Sequence, residues 1–219
     1  VATWKQTGGR GRLGREWVSP AGKSLAFSIE LWSELVPQSF DTFWLGSLSL
    51  LTAASLASAI TDHLTSSAST KWPNDVQIEG KKVAGILGEI PQPGRVVVGV
   101  GLNVWLDDEE LPVSWATSLR AHGVTSSETV ASIGRQFVHT LHVSLDRAQQ
   151  GLGDELSSWI TDQLETIGQR VRVEFPDGAS RTGMAEGIDS LSRLLVRFAD
   201  TGEVEPVDSA DIWHLRPER

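Results

Sequence analysis

Between Thr42 and Thr61 the chain runs twenty residues without a charged side chain. As an α-helix such a segment is about 30 Å long and belongs either in a bilayer or inside a protein core. Its composition selects the core. Gly46, four serines (Ser47, Ser49, Ser55, Ser58) and three threonines (Thr42, Thr52, Thr61) interrupt a run that a membrane span would keep predominantly apolar. The spacing predicts a buried helix over residues 40–64, with Leu48 and Leu51 on one face and Leu56, Ile60 and Leu64 continuing at i+4. Its small residues suit close packing on a sheet.

The flanking sequence supplies one. Residues 1–4 read as the end of a strand and residues 24–31 as the strand that follows. A short strand near Thr70, a hairpin through Glu79-Gly80, and strands over 83–90 and 96–104 imply a mixed or antiparallel sheet. Thr125 with Glu128 resembles a capping box, and the helix after it places Val130, Ile133, Phe137 and Leu141 on one stripe. A further helix is expected over residues 153–167. From Gly168 the pattern changes to short strands (170–175, 181–188, 194–198, 203–207) with turns at Pro176-Asp177-Gly178 and at 200–202, which suggests a small barrel. The expected architecture is therefore α+β, with a larger unit over residues 1–167 and a small β-barrel over 168–219.

Composition narrows the functions. A net charge of −9 argues against general binding to nucleic acid or anionic membranes, which needs a broad basic surface. With no cysteine there is no disulfide, no thiolate metal site and no enzyme thioester. The five histidines show no ligand spacing, and no metal-binding residues are assigned. No signal peptide opens the chain, so a cytoplasmic location is the expectation.

Against this acidic background, residues 1–23 carry Lys5, Arg10, Arg12, Arg15 and Lys23 with Glu16 as the one acid. Three of the arginines fall in QTGGRGRLGREW, a glycine-rich loop from Gln6 to Trp17. Glycines allow close backbone approach, and guanidiniums offer forked donors for phosphate or carboxylate. Gly9-x-Gly11-x-x-Gly14 matches the dinucleotide pattern, but that site needs a helix to begin at the loop, and Pro20, Gly22 and the strand from Ser24 oppose one. The P-loop fails as well, because Arg15-Glu16 stands where GK[ST] is required. What remains is an anion-binding loop, or else a solvated basic hairpin.

Lys71 is the first Lys or Arg after Lys23, with 47 residues between them, and Trp72-Pro73 behind it stiffens the backbone. It is a candidate fixed charge for phosphate or carboxylate. Lys82 opens the strand VAGILGEI and could face a site. Gly99 and Gly101 alternate along a strand, which clears one face for a flat ligand or a neighbouring backbone.

QTGGRGRLGREW, KWPNDV, KVAGILGE and GVGLNV stand together in the order and approximate spacing of biotin protein ligases, and EGID with the closing WHLR resembles that family's C-terminal domain. The resemblance implies a catalytic domain related to class II aminoacyl-tRNA synthetases with a mixed sheet, followed by a Src-homology-3-like barrel. It further implies an enzyme that joins biotin and ATP, with Mg²⁺, into biotinyl-5′-AMP and moves biotin to one lysine of a biotin carboxyl carrier domain.

Carried over by position, Arg12 and Lys71 are the catalytic candidates. Gln6, Arg10, Gly11, Arg12 and Lys71 would bind biotin. Arg10, Arg12, Arg15, Asn74, Lys82, Gly99, Gly101, Asn103 and Arg216 would bind the nucleotide. The family also has a Ser/Thr-Thr-Asn segment before the glycine loop. It is not in this sequence, so the expectation is either that the sequence is a truncated piece or that part of the pocket is missing. No helix-turn-helix is present to suggest a DNA-binding role. A lipoate–protein ligase-like enzyme and a non-catalytic biotinyl-adenylate-binding module remain as alternatives.

Overall fold

The structure, a computed structural model, describes residues 1–32, 42–92, 94–150, 153–208 and 210–214. The elements run β1 (Ala2–Thr3), β2 (Gly9–Arg10), β3 (Glu16–Trp17), β4 (Ser24–Trp32), α1 (Thr42–Thr61), β5 (Ala68–Lys71), β6 (Asp75–Ile78), β7 (Lys81–Gln92) and β8 (Arg95–Asn103). Then follow α2 (Ser127–Gln149), α3 (Gly153–Asp162), β9 (Arg170–Glu174), β10 (Ser180–Ile188), β11 (Leu194–Phe198), β12 (Val204–Val207) and β13 (Asp211–His214).

Six strands form the main sheet in the order β1-β4-β8-β7-β6-β5. Its ladders are all antiparallel. The parallel pairings are two isolated bridges, Thr70 with Leu164 and Lys82 with Ala116, so the expected mixed character is confined to the sheet's margins. On one face of the sheet lies the charge-free helix. Leu48, Leu51, Leu56 and Ile60 are buried in α1, and its alanines, Ser55 and Thr52 are buried too. Ser49 and Ser55 return their hydroxyls to the carbonyls of Leu45 and Leu51, each at 2.8 Å, which removes the cost of burying them. Close approach to the sheet depends on Gly88 of β7, where a Cβ would come within 2.9 Å of Leu45 Cγ. No helix among the described residues is long and apolar enough to cross a membrane.

Helix α2 covers α1 through the expected stripe, with Val130, Ile133, Phe137 and Leu141 buried. Its cap lies one residue later than the sequence suggests. Ser126 is the N-cap, in extended backbone, and its side chain accepts from Thr129 N, while Glu128 pairs with Arg135 at 2.9 Å instead of closing a box. Phe137 meets Phe27 edge-on, with ring centroids 5.5 Å apart. Because it is 1% exposed, Phe137→Ala should cost about 3–5 kcal/mol, read as an equilibrium shift in urea denaturation.

Helix α3 ends at Asp162, five residues short of the expected end. The chain leaves the helix because residues 163–166 are claimed by the sheet margin: Thr70 N bonds to Gln163 O and Glu165 N to Thr70 O, both at 2.9 Å. After Gly168 the five remaining strands form an antiparallel sheet in the order β12-β11-β10-β9-β13. Val171, Val173, Ala185, Leu194, Val196, Phe198 and Ile212 are among its buried apolar side chains. The strand not foreseen is β13, which pairs with β9 and brings Trp213 and His214 onto the sheet. No ladder joins β12 to β13 among the described residues, so the small barrel is partly open.

Candidate active site

The glycine-arginine loop is a hairpin. β2 pairs with β3, Gly9 opposite Trp17 and Arg10 opposite Glu16. Leu13 (φ 57°) and Gly14 (φ 73°) turn the chain between them, and Gly11 N bonds to Arg15 O at 2.7 Å. Arg12 sits at the turn, half-buried, while Arg10 and Arg15 are exposed.

The end of the hairpin delivers Trp17 onto the glycine strand. A Cβ at Gly101 would lie 2.6 Å from Trp17 Nε1, and one at Gly85 3.2 Å from Trp17 Cζ3. The side-chain-free face anticipated from the alternating glycines is thus covered here by the protein's own indole. This packing ties the loop to the sheet and makes Trp17 part of a floor.

Loop and sheet enclose a cavity of about 720 Å³. Gln6, Arg10, Gly11, Arg12 and Arg15 line it from the hairpin side. Lys71, Asn74, Lys82, Gly99 and Gly101 line it from the sheet. Ten residues scattered over 96 positions of sequence therefore line one cavity. Each of the cations has an assigned neighbour or contact. Lys82 Nζ lies 2.7 Å from Asp75 Oδ1, an ion-pair distance without hydrogen-bond geometry, and 5.4 Å from the Trp17 ring. Arg10 Nη2 is 3.7 Å from Glu89. Asn74 donates its amide to Ile86 O at 2.6 Å and its carbonyl accepts from Ile86 N, so the residue pins β7 beside the cavity as much as it faces it.

Two candidates fall elsewhere. Asn103 is 2% exposed, outside the cavity wall, and donates to Thr117 O at 3.0 Å. The segment after β8 folds back over it, with Leu119 N bonded to Asn103 O, so the strand pattern that carries Gly99 and Gly101 into the site stops at Gly101. Arg216 lies outside the described residues.

Beside Gln6, several contributors were not singled out from sequence. Gln6 Oε1, Trp17 Nε1 and Gln77 Oε1 are buried polar atoms without a hydrogen-bond partner, and all three belong to residues that line this cavity. Such atoms call for polar groups on a ligand. Trp115, half exposed, and Trp213 also line the cavity and meet edge-to-face at 5.7 Å. A signal for them was present in composition: nine tryptophans in a chain with no tyrosine. Beside Lys71 lies His214, half-buried, whose pKa is lowered first by burial and then by the Lys71 charge. Among the described residues no group of three or more His, Asp or Glu could hold a metal.

Residues 1–103 match the biotin/lipoate A/B protein ligase family, and residues 166–215 match the biotin protein ligase C-terminal domain. A biotin–[acetyl-CoA-carboxylase] ligase of Mycobacterium tuberculosis is 35% identical over 214 residues, covering 96% of this chain and 77% of the relative. One from Paracoccus denitrificans is 38% identical over 222 residues, covering 94% and 87%. Among solved structures, the biotin protein ligase of Aquifex aeolicus in complex with biotin and ATP superposes with a TM-score of 0.78 at 26% identity, over 98% of this chain and 88% of that one. With a catalytic sheet and helix layer, a C-terminal antiparallel barrel and matches of this extent to both, the chain belongs to the biotin protein ligase family.

Proposed function

We propose that the chain is a biotin–[acetyl-CoA-carboxylase] ligase, which converts biotin and ATP into biotinyl-5′-AMP and pyrophosphate and then biotinylates one lysine of a biotin carboxyl carrier domain. The observation that carries this reading is the convergence of Arg12 and Lys71 on one cavity with the rest of the arginine hairpin. We divide the labour between a unit over residues 1–167, which holds the cavity, and a barrel over 168–219 that borders it through Ile212, Trp213 and His214.

In the first step a carboxylate oxygen of biotin attacks the α-phosphorus, an O–P bond forms, and the bond to the β-phosphate oxygen breaks. Two anions must meet, so the barrier is largely electrostatic. Arg12 and Lys71 neutralise the carboxylate and α-phosphate and hold them in reach of each other. Arg15 and Lys82 serve the remaining phosphates, and Mg²⁺ comes with ATP as its complex. Gln6 Oε1 accepts from the ureido group of biotin, with Arg10 and Gly11 closing over the ring system and Trp17 forming an apolar floor. The exposed face of Trp115 offers the adenine a stacking partner.

In the second step the carrier amine attacks the carbonyl carbon, the amide bond forms, and AMP leaves on its phosphate oxygen as the amine loses a proton. The mixed anhydride is already activated, so no enzyme nucleophile is needed. This accounts for the chain's dispensing with cysteine. Closure of the hairpin keeps water from the anhydride.

Biotin-dependent exchange of pyrophosphate into ATP tests the reading. Exchange is expected with biotin; exchange with lipoate and none with biotin would contradict it.

A further inference from the structure

We infer that Trp213 and His214, on the last described strand of the barrel, are positioning residues for Lys71, so that adenylation in the larger unit depends on how the smaller one is seated. This rests on the assignment of Lys71 to the reacting groups made above.

Three contacts carry it. Lys71 Nζ lies 5.8 Å from the centre of the Trp213 ring, within the range of a cation–π attraction. The plane of that indole is itself fixed. Trp213 Nε1 donates to Glu174 Oε2 at 3.0 Å, and Arg172, directly across the ladder from Trp213, pairs with the same carboxylate at 3.0 Å and stands 5.9 Å from the same ring. Trp115 then meets the ring edge-on, so one indole orders a cation on one side of the cavity and an aromatic face on another.

His214 acts on the backbone of the same residue pair. Its Nε2 lies 3.3 Å from Thr166 Oγ1, and that oxygen accepts the Trp72 backbone N–H at 3.0 Å. Because the threonine oxygen already accepts from Trp72, its own hydrogen is available to a neutral imidazole nitrogen. Burial and the Lys71 charge both favour the neutral ring. The relay runs from β13 through Thr166 to the peptide group joining Lys71 to Trp72. A second anchor holds the far side of Trp72, whose Nε1 donates to Ser192 O at 3.0 Å in the turn before β11. The barrel thus grips the segment bearing Lys71 at its backbone, at the next side chain and at the ammonium.

Single-turnover adenylate formation by the full chain, with biotin and Mg-ATP, tests this through five variants: Lys71→Met, Trp213→Leu, Trp213→Phe, His214→Asn and the double Trp213→Leu/Lys71→Met. Trp213→Leu is expected to lower the rate constant about tenfold or more at nearly unchanged KM for biotin, the mark of misplacement and not of lost binding. Trp213→Phe, which restores a ring face, should recover most of it. In the Lys71→Met background, Trp213→Leu should cost nothing further, because the group it positions is gone. An equal loss in both backgrounds, or a wild-type rate for Trp213→Leu, would overturn the proposal. A wild-type rate for Lys71→Met would instead remove the Lys71 assignment, and the proposal with it. Should Trp213→Leu fail to melt cooperatively, His214→Asn decides: a rate loss of about threefold or more is expected with the ring contact intact, and a wild-type rate would overturn the relay.

Discussion

Arg12→Ala is expected to slow biotinyl-adenylate formation by about 10²–10³-fold, equivalent to roughly 3–4 kcal/mol of transition-state stabilisation. The reason lies in charge. A carboxylate and a triphosphate repel, and in a cavity partly closed to water a forked guanidinium between them is worth far more than it would be in bulk solvent. Lys71→Met, which keeps the length of the side chain and removes its charge, should lose a similar amount. The double variant should lose less than the product, since the two cations serve one transition state. Arg12 is borne on an exterior hairpin and makes no part of the buried core, so its thermal midpoint should stay within a few degrees of wild type. Pre-steady-state adenylate formation alongside calorimetric melting checks both halves. Near-normal rates in both single variants would refute the roles given to the two cations.

The second large effect concerns the floor. Gly101→Ala introduces a Cβ 2.6 Å from Trp17 Nε1, and β8 lies between two ladders and cannot yield. The indole must move instead. Overpacking of this kind costs about 1–3 kcal/mol. The displaced ring would also carry the end of the arginine hairpin with it. Biotin affinity is expected to fall about tenfold to a hundredfold, measured by titration calorimetry on the unliganded protein. Gly99→Ala is the useful contrast, because its Cβ would stand 3.6 Å from Leu87 O and meet no part of Trp17. Unchanged biotin binding in Gly101→Ala would mean that Trp17 forms no part of the biotin site.

Much of the catalytic unit could be read from local pattern. The charge-free helix, the hairpins around Glu79-Gly80 and the α2 stripe each follow from periodicity, and those signals are local. The cap at Ser126 was misplaced by one residue because Thr125 and Ser126 are both competent caps, and the choice depends on which backbone is extended. The early end of α3 was not legible for a different reason. Gln163 and Glu165 have helical propensity, but their backbone groups serve Thr70, nearly a hundred residues earlier.

The site shows the same division. Arginine, lysine and glycine announced themselves through spacing and charge contrast. Asn103 had the right alternation, and only the folding of residues 104–119 over it takes it from the cavity. Trp17, Trp115 and Trp213 were hidden because an aromatic residue reads as core in one dimension. Their roles come from what faces them: two glycines, another indole and a lysine.

The proposed function places the activation of biotin for transfer to a protein lysine in the cavity between the arginine hairpin and the glycine strand. Mass spectrometry of a biotin carboxyl carrier domain incubated with this protein, biotin and Mg-ATP tests it most directly. The expected result is a carrier heavier by one biotinyl group, on one lysine, absent without ATP and strongly reduced with Arg12→Ala. A carrier of unchanged mass, from protein that binds biotinyl-5′-AMP tightly, would contradict the claim and leave an adenylate-binding module in place of a ligase.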